Sequence, residues 1–224
     1  MSSEAAQHAT PAGLCFKAVL TLTEDHCLAT AFGDLIDNPR EAGARRVRLT
    51  AETVPARHGK FLRLSDEGPG LKDFEHLRDA YSFGSSPEKD GRHNYGQGEK
   101  VAGLALAQCV TKLCETSETT RLVALFSKAM QASDGFPKET MRPIVRYTRD
   151  RNGAVWRLDH EKPSAVYNQK LIFQWSPFRA LDELMRAFDN FRRSGRTHLV
   201  LSGLHERLAL TDDAEFPRSL AAPG

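Results

Sequence analysis

Seven short segments of this sequence have the pattern of β-strands, and they come in runs instead of alternating regularly with helices. The clearest is Arg45–Thr53, in which apolar and polar side chains alternate. The others are residues 60–64, 110–114, 120–127, 143–148, 154–158 and 197–201. Turn residues at 58–59 and 151–153 are typical of hairpins. This order predicts an α+β sandwich, with one mixed, largely antiparallel sheet and helices packed on one face.

Four segments have the pattern of helices: residues 23–43, 71–81, 98–108 and 179–191. The first is predicted to begin at Thr23, a capping residue, and to stop at Gly43. Residues 82–97 contain no aliphatic side chain and are long for a connection inside a compact domain, so we predict a mobile lid there. We expect one domain over residues 14–204, between a flexible tail at 1–13 and a second tail at 205–224.

Charge and hydropathy narrow the classes of function. The net charge of +2 gives no overall electrostatic reason to bind nucleic acid or an anionic membrane. No apolar run approaches the roughly 20 residues needed to cross a bilayer, and residues 1–13 lack the features of a secretory signal. The four cysteines form no CxxC pair, which predicts reduced thiols and disfavours a zinc site. We therefore expect an intracellular protein without a membrane span.

Polar residues line one face of the first predicted helix. Asp34, Asn38 and Glu41 stand at i, i+4 and i+7 and so lie above one another. Mg²⁺ prefers a few protein oxygens together with phosphates and water, and a carboxylate can act as a base toward water. Asn38 and Asp34 meet both needs. The alternative is a polar helix face that simply meets solvent.

Two glycine-rich segments are candidates for close approach of the main chain to a ligand. Asp66–Gly70 follows a strand and reads Asp-x-Gly-x-Gly. Gly96–Lys100 opens a helix, where main-chain N–H groups and a lysine favour a bound anion. The alternatives are an ordinary turn and a hinge between loop and helix. Neither segment fits the Walker A spacing or the dinucleotide-binding fingerprint, so P-loop and Rossmann enzymes are disfavoured.

Taken in order, these segments resemble the ATPase domain of the MORC (microrchidia) family, a branch of the GHKL superfamily. The resemblance extends from about Thr23 to Leu204. It rests on the segments Asp34–Ala42, Asp66–Leu71, Ser82–Gly84, Asn94–Lys100, Trp175–Arg179 and Gly195–Thr197. The fold that it implies is the Bergerat α/β sandwich of GHKL ATPases.

The resemblance implies a site for ATP and Mg²⁺. Asp66 would recognise adenine, with Thr197 close to it, and Asn38 would hold Mg²⁺ and the phosphates. Asp34 stands where the family has its catalytic glutamate, the general base that activates water. The other nucleotide-binding positions implied are Gly68, Gly70, Gly96, Gln97, Gly98 and Lys100.

Two departures from the family pattern bear on turnover. Asp34 is one methylene shorter than glutamate, and a displacement of ~1 Å in a catalytic group can cost about a hundredfold in rate. Pro39 replaces an alanine and removes a helical hydrogen bond to the carbonyl of Leu35. We therefore expect an ATP-binding module with slow hydrolysis. The alternative is a degenerate pseudo-ATPase that acts as a protein-interaction scaffold.

The family resemblance also carries expectations about partners. It implies a nuclear protein whose lid closes over ATP and promotes formation of a homodimer, in chromatin compaction or gene silencing. Arginines cluster at residues 45–48 and, separately, at 192–196. Each cluster is interpreted either as solvated surface or as a contact with DNA.

Overall fold

The computed structural model describes residues 23, 26–54, 59–80, 98–132, 142–150, 152–153, 155–159, 163–205 and 208. The helices are α1 Leu28–Glu41, α2 Phe74–Ala80, α3 Gly98–Leu106, α4 Lys128–Ala132, α5 Pro163–Trp175 and α6 Leu181–Phe191. The strands are β1 Val47–Val54, β2 Gly59–Asp66, β3 Ala107–Ser117, β4 Thr120–Ser127, β5 Ile144–Thr148, β6 Arg157–Leu158 and β7 Thr197–Leu204. A 3₁₀ turn at Arg192–Ser194 leads from α6 to β7.

The seven strands form one sheet in the order β1-β2-β7-β3-β4-β5-β6, and every neighbouring pair is antiparallel. Both predicted hairpins are present, as β1–β2 and β5–β6. The last strand, β7, lies between β2 and β3 and so joins the two halves of the sheet. The α+β class and the antiparallel sheet predicted from the sequence are thus confirmed.

The helices cover both faces of the sheet, whereas the sequence predicted helices on one face. Helices α1 and α3 pack on the face that carries Leu62, Leu64 and Leu199. Helices α5 and α6 pack on the opposite face, which carries Val123 and Val200. The central strand β4 explains the difference, because nearly all of its residues are buried, whichever face of the sheet they point to. A strand that is apolar on both sides needs a layer on each.

Helix α1 begins later than predicted and continues through its proline. Its N-cap is Cys27, whose Sγ accepts a hydrogen bond from the Thr30 N–H at 3.5 Å, so Thr23 is not the cap of α1. Pro39 stands in the last turn, where its own carbonyl accepts from the Ala44 N–H at 2.8 Å. Because the helix ends only two residues after Pro39, the proline disturbs few helical hydrogen bonds. The polar face is therefore kept despite the proline.

Three further helices differ from prediction. Helices α4 and α5 are not foreseen by the sequence pattern, and α3 ends at Leu106, where β3 begins at the next residue. Among the cysteines described, Cys109 and Cys114 are buried free thiols, as predicted, and Cys27 is exposed.

No helix in the described ranges is long and apolar enough to cross a membrane. The predicted lid at 82–97, the tail at 1–13 and nearly all of the tail at 205–224 lie outside the described residues.

Candidate functional site

Asp66 ends strand β2 on the face covered by α1 and α3. Its side chain shares that face with Leu62 and Leu64, because alternate residues of a strand point the same way. One carboxylate oxygen, Oδ1, accepts a hydrogen bond from the Gly68 N–H at 2.9 Å. Burial raises the pKa of Asp66, and the Gly68 N–H opposes this rise. The turn at Gly68 thus fixes the orientation of the carboxylate.

Thr197 lies beside Asp66 because strand β7 pairs with β2 at this position. The main-chain N–H of Arg196 donates to the Asp66 carbonyl at 3.2 Å. Gly195 lies directly against the same carbonyl: a Cβ at this residue would be 1.9 Å from the Asp66 oxygen. Its φ of +142° is also one that other residues rarely adopt. The glycine therefore allows the two strands to meet where Asp66 and Thr197 come together.

Cys114 on β3 contacts both the chain that follows the Asp66–Gly70 turn and strand β7. Its Sγ accepts a hydrogen bond from the Leu71 N–H at 3.3 Å and lies 4.0 Å from the Thr197 hydroxyl. At Gly70, where φ is +69°, a Cβ would lie 3.4 Å from Thr197 Oγ1 and 3.5 Å from this sulfur. Burial raises the pKa of the Cys114 thiol, so it stays protonated. No motif in the sequence marks Cys114 as a site residue.

A largely buried ion pair connects the sheet with the start of α3. Lys112 Nζ donates to Glu99 Oε2 at 2.5 Å, and Lys112 shares the sheet face of Val110 and Cys114. Burial alone would lower the pKa of Lys112, but the Glu99 carboxylate outweighs this effect and the pKa is raised. Both charges act on Asp66, with Lys112 favouring its ionised form and Glu99 opposing it. The pair therefore places the N-terminus of α3 near the predicted base-recognition residue, which the sequence pattern did not show.

Lys100 is buried in the first turn of α3. Its Nζ donates to the carbonyl of Ala80, the last residue of α2, at 2.7 Å. Burial lowers the pKa of Lys100 to about 7, with Glu99 opposing this and Arg142 and Lys112 adding to it. An anion near this amine would favour its charged form.

The polar face of α1 lies on the same side of the sheet. Helices α1 and α3 share a core of Ala31, Leu35, Val101 and Leu104, among others. Asp34 Oδ2 is 3.1 Å from His26 Nε2, a partner that the sequence analysis did not identify. No hydrogen bond or ion pair between described residues joins Asp34 or Asn38 to Asp66. The two groups therefore belong to one layer of the fold without direct contact.

Asn38 fits the requirements of a single protein ligand for Mg²⁺. Its side chain is half-buried and makes no hydrogen bond to another described residue, so its oxygen is not committed elsewhere. No group of three or more His, Cys, Asp or Glu within the described ranges could hold a metal ion alone. This donor set suits a cation that binds mainly to phosphates and water.

Two of the predicted nucleotide-binding residues, Gly96 and Gln97, lie outside the described residues. Gly98 is described and starts α3, with open space where a side chain would project. The structure thus brings Asp66, Gly70 and Thr197 together, with Lys100 at the start of the helix above the same sheet face.

Comparison with known proteins gives the same picture. Residues 26–146, more than half of the chain, match the family described as histidine kinase-, DNA gyrase B-, and HSP90-like ATPase. This range includes every predicted site residue except Thr197.

Three relatives are similar over most of the chain. MORC family CW-type zinc finger protein 1 of Mus musculus is 28% identical over 83% of this chain and 19% of its own length. ATPase MORC2 of Homo sapiens is 27% identical over 86% of the chain and 19% of its own length. Protein MICRORCHIDIA 6 of Arabidopsis thaliana is 25% identical over 76% of the chain and 26% of its own length. The chain thus spans about a fifth to a quarter of these relatives. It belongs to the family of histidine kinase-, DNA gyrase B- and HSP90-like ATPases, and carries that family's ATP-binding module in a form similar to MORC proteins.

Proposed function

We propose that this chain binds ATP with Mg²⁺ between α1, α3 and the sheet, and that it hydrolyses the bound nucleotide slowly. The observation that supports this most directly is the meeting of Asp66 and Thr197 at the junction of β2 and β7. A buried carboxylate beside a hydroxyl presents one strong acceptor and one donor-acceptor group to a flat, polar-edged ligand such as a purine base. The Glu99–Lys112 pair supports the location, since it places the start of α3 over the same face.

Each remaining group then has a role in this proposal. The N-terminus of α3 and Lys100 bind phosphate oxygens, because helix N-termini and ammonium groups both favour anions. Asn38 holds Mg²⁺, which neutralises phosphate charge when it is bound. Asp34 accepts a proton from the attacking water, and the His26 imidazole holds this carboxylate in place at 3.1 Å. The shorter Asp34 side chain limits the rate.

The cellular role that we propose is based on the similarity to MORC proteins. Two of them are named as ATPases or zinc-finger members of the MORC family, and all are much longer than this chain. We propose that ATP closes the segment 82–97, that closure promotes a homodimer, and that the protein acts in the nucleus in chromatin compaction or gene silencing. The competing proposal is a pseudo-ATPase scaffold, which the shortened Asp34 favours.

Nucleotide binding is tested by calorimetric titration of the chain with a non-hydrolysable ATP analogue in excess Mg²⁺. We expect saturable binding that Asp66→Asn weakens at least a hundredfold, because the amide cannot accept a hydrogen bond at the position where its NH₂ stands. The matched control is Asp182→Asn, an exposed residue on the opposite face of the sheet. This control should bind like the original chain. Absence of binding at millimolar nucleotide would contradict the proposal.

Turnover is tested separately by Asp34→Glu. We expect hydrolysis to increase by roughly ten- to a hundredfold with unchanged affinity, because the longer side chain restores the reach of the base. Phosphate release is measured at saturating Mg·ATP. No gain in rate, with binding intact, would favour the scaffold.

Affinity is expected to depend on pH through Lys100. The pKa of this lysine in the free protein is about 7, so above pH 7 it is mostly neutral. A bound phosphate favours the charged form and raises the pKa, which means that binding takes up a proton. Affinity should therefore fall as pH rises from 7 to 9, by up to about tenfold per pH unit.

The measurement is a series of titrations between pH 7 and 9, in two buffers of different ionisation enthalpy, with the nucleotide saturated by Mg²⁺. Lys100→Arg keeps its charge throughout this range and should bind without the pH dependence. A flat profile for the original chain would show that Lys100 does not meet phosphate.

A further inference from the structure

Two arginine clusters that are distant in the sequence meet at one end of the sheet. The strand register explains why: Val47, Asp66 and Thr197 lie side by side on β1, β2 and β7. Arg45 and Arg46 directly precede β1, and residues 192–196 directly precede β7. Neighbouring strands are only about 4.8 Å apart. Segments separated by nearly 150 residues therefore form a single basic surface.

One direct contact joins the two clusters. Arg48 Nη1 donates to Ser194 Oγ at 3.5 Å, which links β1 to the 3₁₀ turn. Arg46 Nη1 lies 3.3 Å from Glu67 Oε1, which links the residue before β1 to the residue after β2. The two clusters are separate in the sequence, and only the pairing of β1 with β2 and of β2 with β7 joins them.

This surface contains an open cleft of about 390 Å³. Two segments line it. One contributes Glu67, Gly68 and Pro69, and the other contributes Gly195 together with Arg192, Arg193 and Arg196. Glu67 is the one carboxylate among the lining residues, and it already pairs with Arg46.

The guanidinium groups are available to a ligand. No ion pair with another described residue engages Arg193 or Arg196, and both are exposed. Arg192 Nε lies 3.2 Å from Glu115 Oε1 and is half exposed. Three main-chain N–H groups of the lining residues are already used, since those of Gly68, Gly195 and Arg196 donate to Asp66 Oδ1, Arg192 O and Asp66 O. Recognition in this cleft therefore falls to the arginine side chains.

Phosphate is the anion that this chemistry selects. Every cation among the lining residues is arginine, whose planar fork matches the oxygens of a phosphoryl group and binds them in pairs. Three arginines within five residues suit a compact ligand with adjacent phosphoryl groups, whereas a duplex needs charges spread along a longer surface. A volume near 390 Å³ lies at the lower end of the range for small-molecule sites.

We propose that the cleft lined by Arg192, Arg193 and Arg196 is a second anion site, distinct from the nucleotide site, that binds a small molecule carrying adjacent phosphoryl groups. Asp34, Asn38 and Lys100 are not among its lining residues, and it shares only Gly68 with the predicted nucleotide-binding residues. It would hold its ligand whether or not ATP is bound.

The test is a titration of the chain with inorganic tripolyphosphate at low ionic strength, in the presence of a saturating non-hydrolysable ATP analogue and Mg²⁺. We expect one equivalent to bind. The double variant R193Q/R196Q should weaken this binding at least tenfold. The matched control R157Q/R179Q removes two exposed arginines from other parts of the chain and should change it less than twofold.

The nucleotide-site variant Asn38→Ala separates this proposal from the preceding one, because Asn38 holds Mg²⁺ in the proposed nucleotide site and is not among the residues that line the cleft. Tripolyphosphate binding that persists in Asn38→Ala supports a second site even if ATP does not bind. Loss of the signal in Asn38→Ala would show that tripolyphosphate occupies the nucleotide site and would overturn the proposal.

Two further arms test the class of ligand. A short DNA duplex and a glutamate peptide of equal charge are titrated under the same conditions. Weaker binding of both supports recognition of a compact phosphate. Binding of the duplex without binding of tripolyphosphate would overturn the proposal and show that this surface binds nucleic acid. Equal binding of the peptide would show charge attraction without selection for phosphate.

Discussion

Gly195→Ala is expected to unfold the junction of β2 and β7 and to abolish nucleotide binding. The new Cβ would be placed 1.9 Å from the Asp66 carbonyl oxygen and 2.6 Å from its carbon, both main-chain atoms of a central strand. A φ of +142° adds strain of about 1–3 kcal/mol for a residue other than glycine. Relief requires the strands to separate where Asp66 and Thr197 meet. We expect a loss of about 3–5 kcal/mol in the free energy of unfolding.

Urea-induced unfolding and calorimetric titration with the ATP analogue measure the two effects. The control is Gly33→Ala in α1, where a Cβ would meet nothing within 4 Å. This variant should be unchanged or more stable by up to about 1 kcal/mol, since alanine favours a helix. A Gly195→Ala protein with the original unfolding midpoint would show that the strands tolerate displacement at this position.

Arg121→Met is expected to destabilise the opposite face of the sheet while leaving nucleotide affinity intact. Arg121 is almost completely buried on β4, beneath α6. Its guanidinium pairs with Asp189, donates to the Met185 carbonyl at 3.3 Å, and lies 4.2 Å from the centre of the Trp156 ring. It is also 3.6 Å from Glu115, a carboxylate that is only 11% exposed. Removing the charge leaves Glu115 buried with less compensation, at a cost of about 3 kcal/mol.

Thermal unfolding of Arg121→Met and of the double variant Arg121→Met/Glu115→Gln tests this cause. The double variant should recover part of the lost stability, because it removes the uncompensated carboxylate. A double variant that is no more stable than Arg121→Met would show that the lost stability comes from packing against Trp156 instead. A fall in nucleotide affinity would contradict the assignment of Arg121 to the face opposite the site.

Much of the local structure followed from adjacent residues. The alternation in Arg45–Thr53 predicted β1, and the turn residues at 151–153 predicted the hairpin of β5 and β6. Helix α5 was missed because its apolar residues do not form one clear stripe, and only Leu171 and Ile172 are fully buried. The start of α1 was placed too early because Thr23 has the chemistry of a cap, while Cys27 performs that role.

Only some residues of the candidate site could be predicted from the sequence. Asp66 was selected from its turn, and Thr197 from the family resemblance. Cys114, the Glu99–Lys112 pair and His26 carry no motif, and their contacts appear only after the strands and helices pack. The two arginine clusters were visible as clusters but gave no sign that they share one surface.

Hairpins, turns and helix segments depend on residues close together in the chain, so their patterns of apolar and turn-forming residues were enough to predict them. The insertion of β7 between β2 and β3, and the covering of both faces by helices, depend on residues far apart. These are decided by burial, because most residues of β4 and β7 are buried on both sides of the sheet, which requires a helical layer on each side. That packing, and no local pattern, sets Asp66 beside Thr197 and brings the arginines of both clusters to one edge.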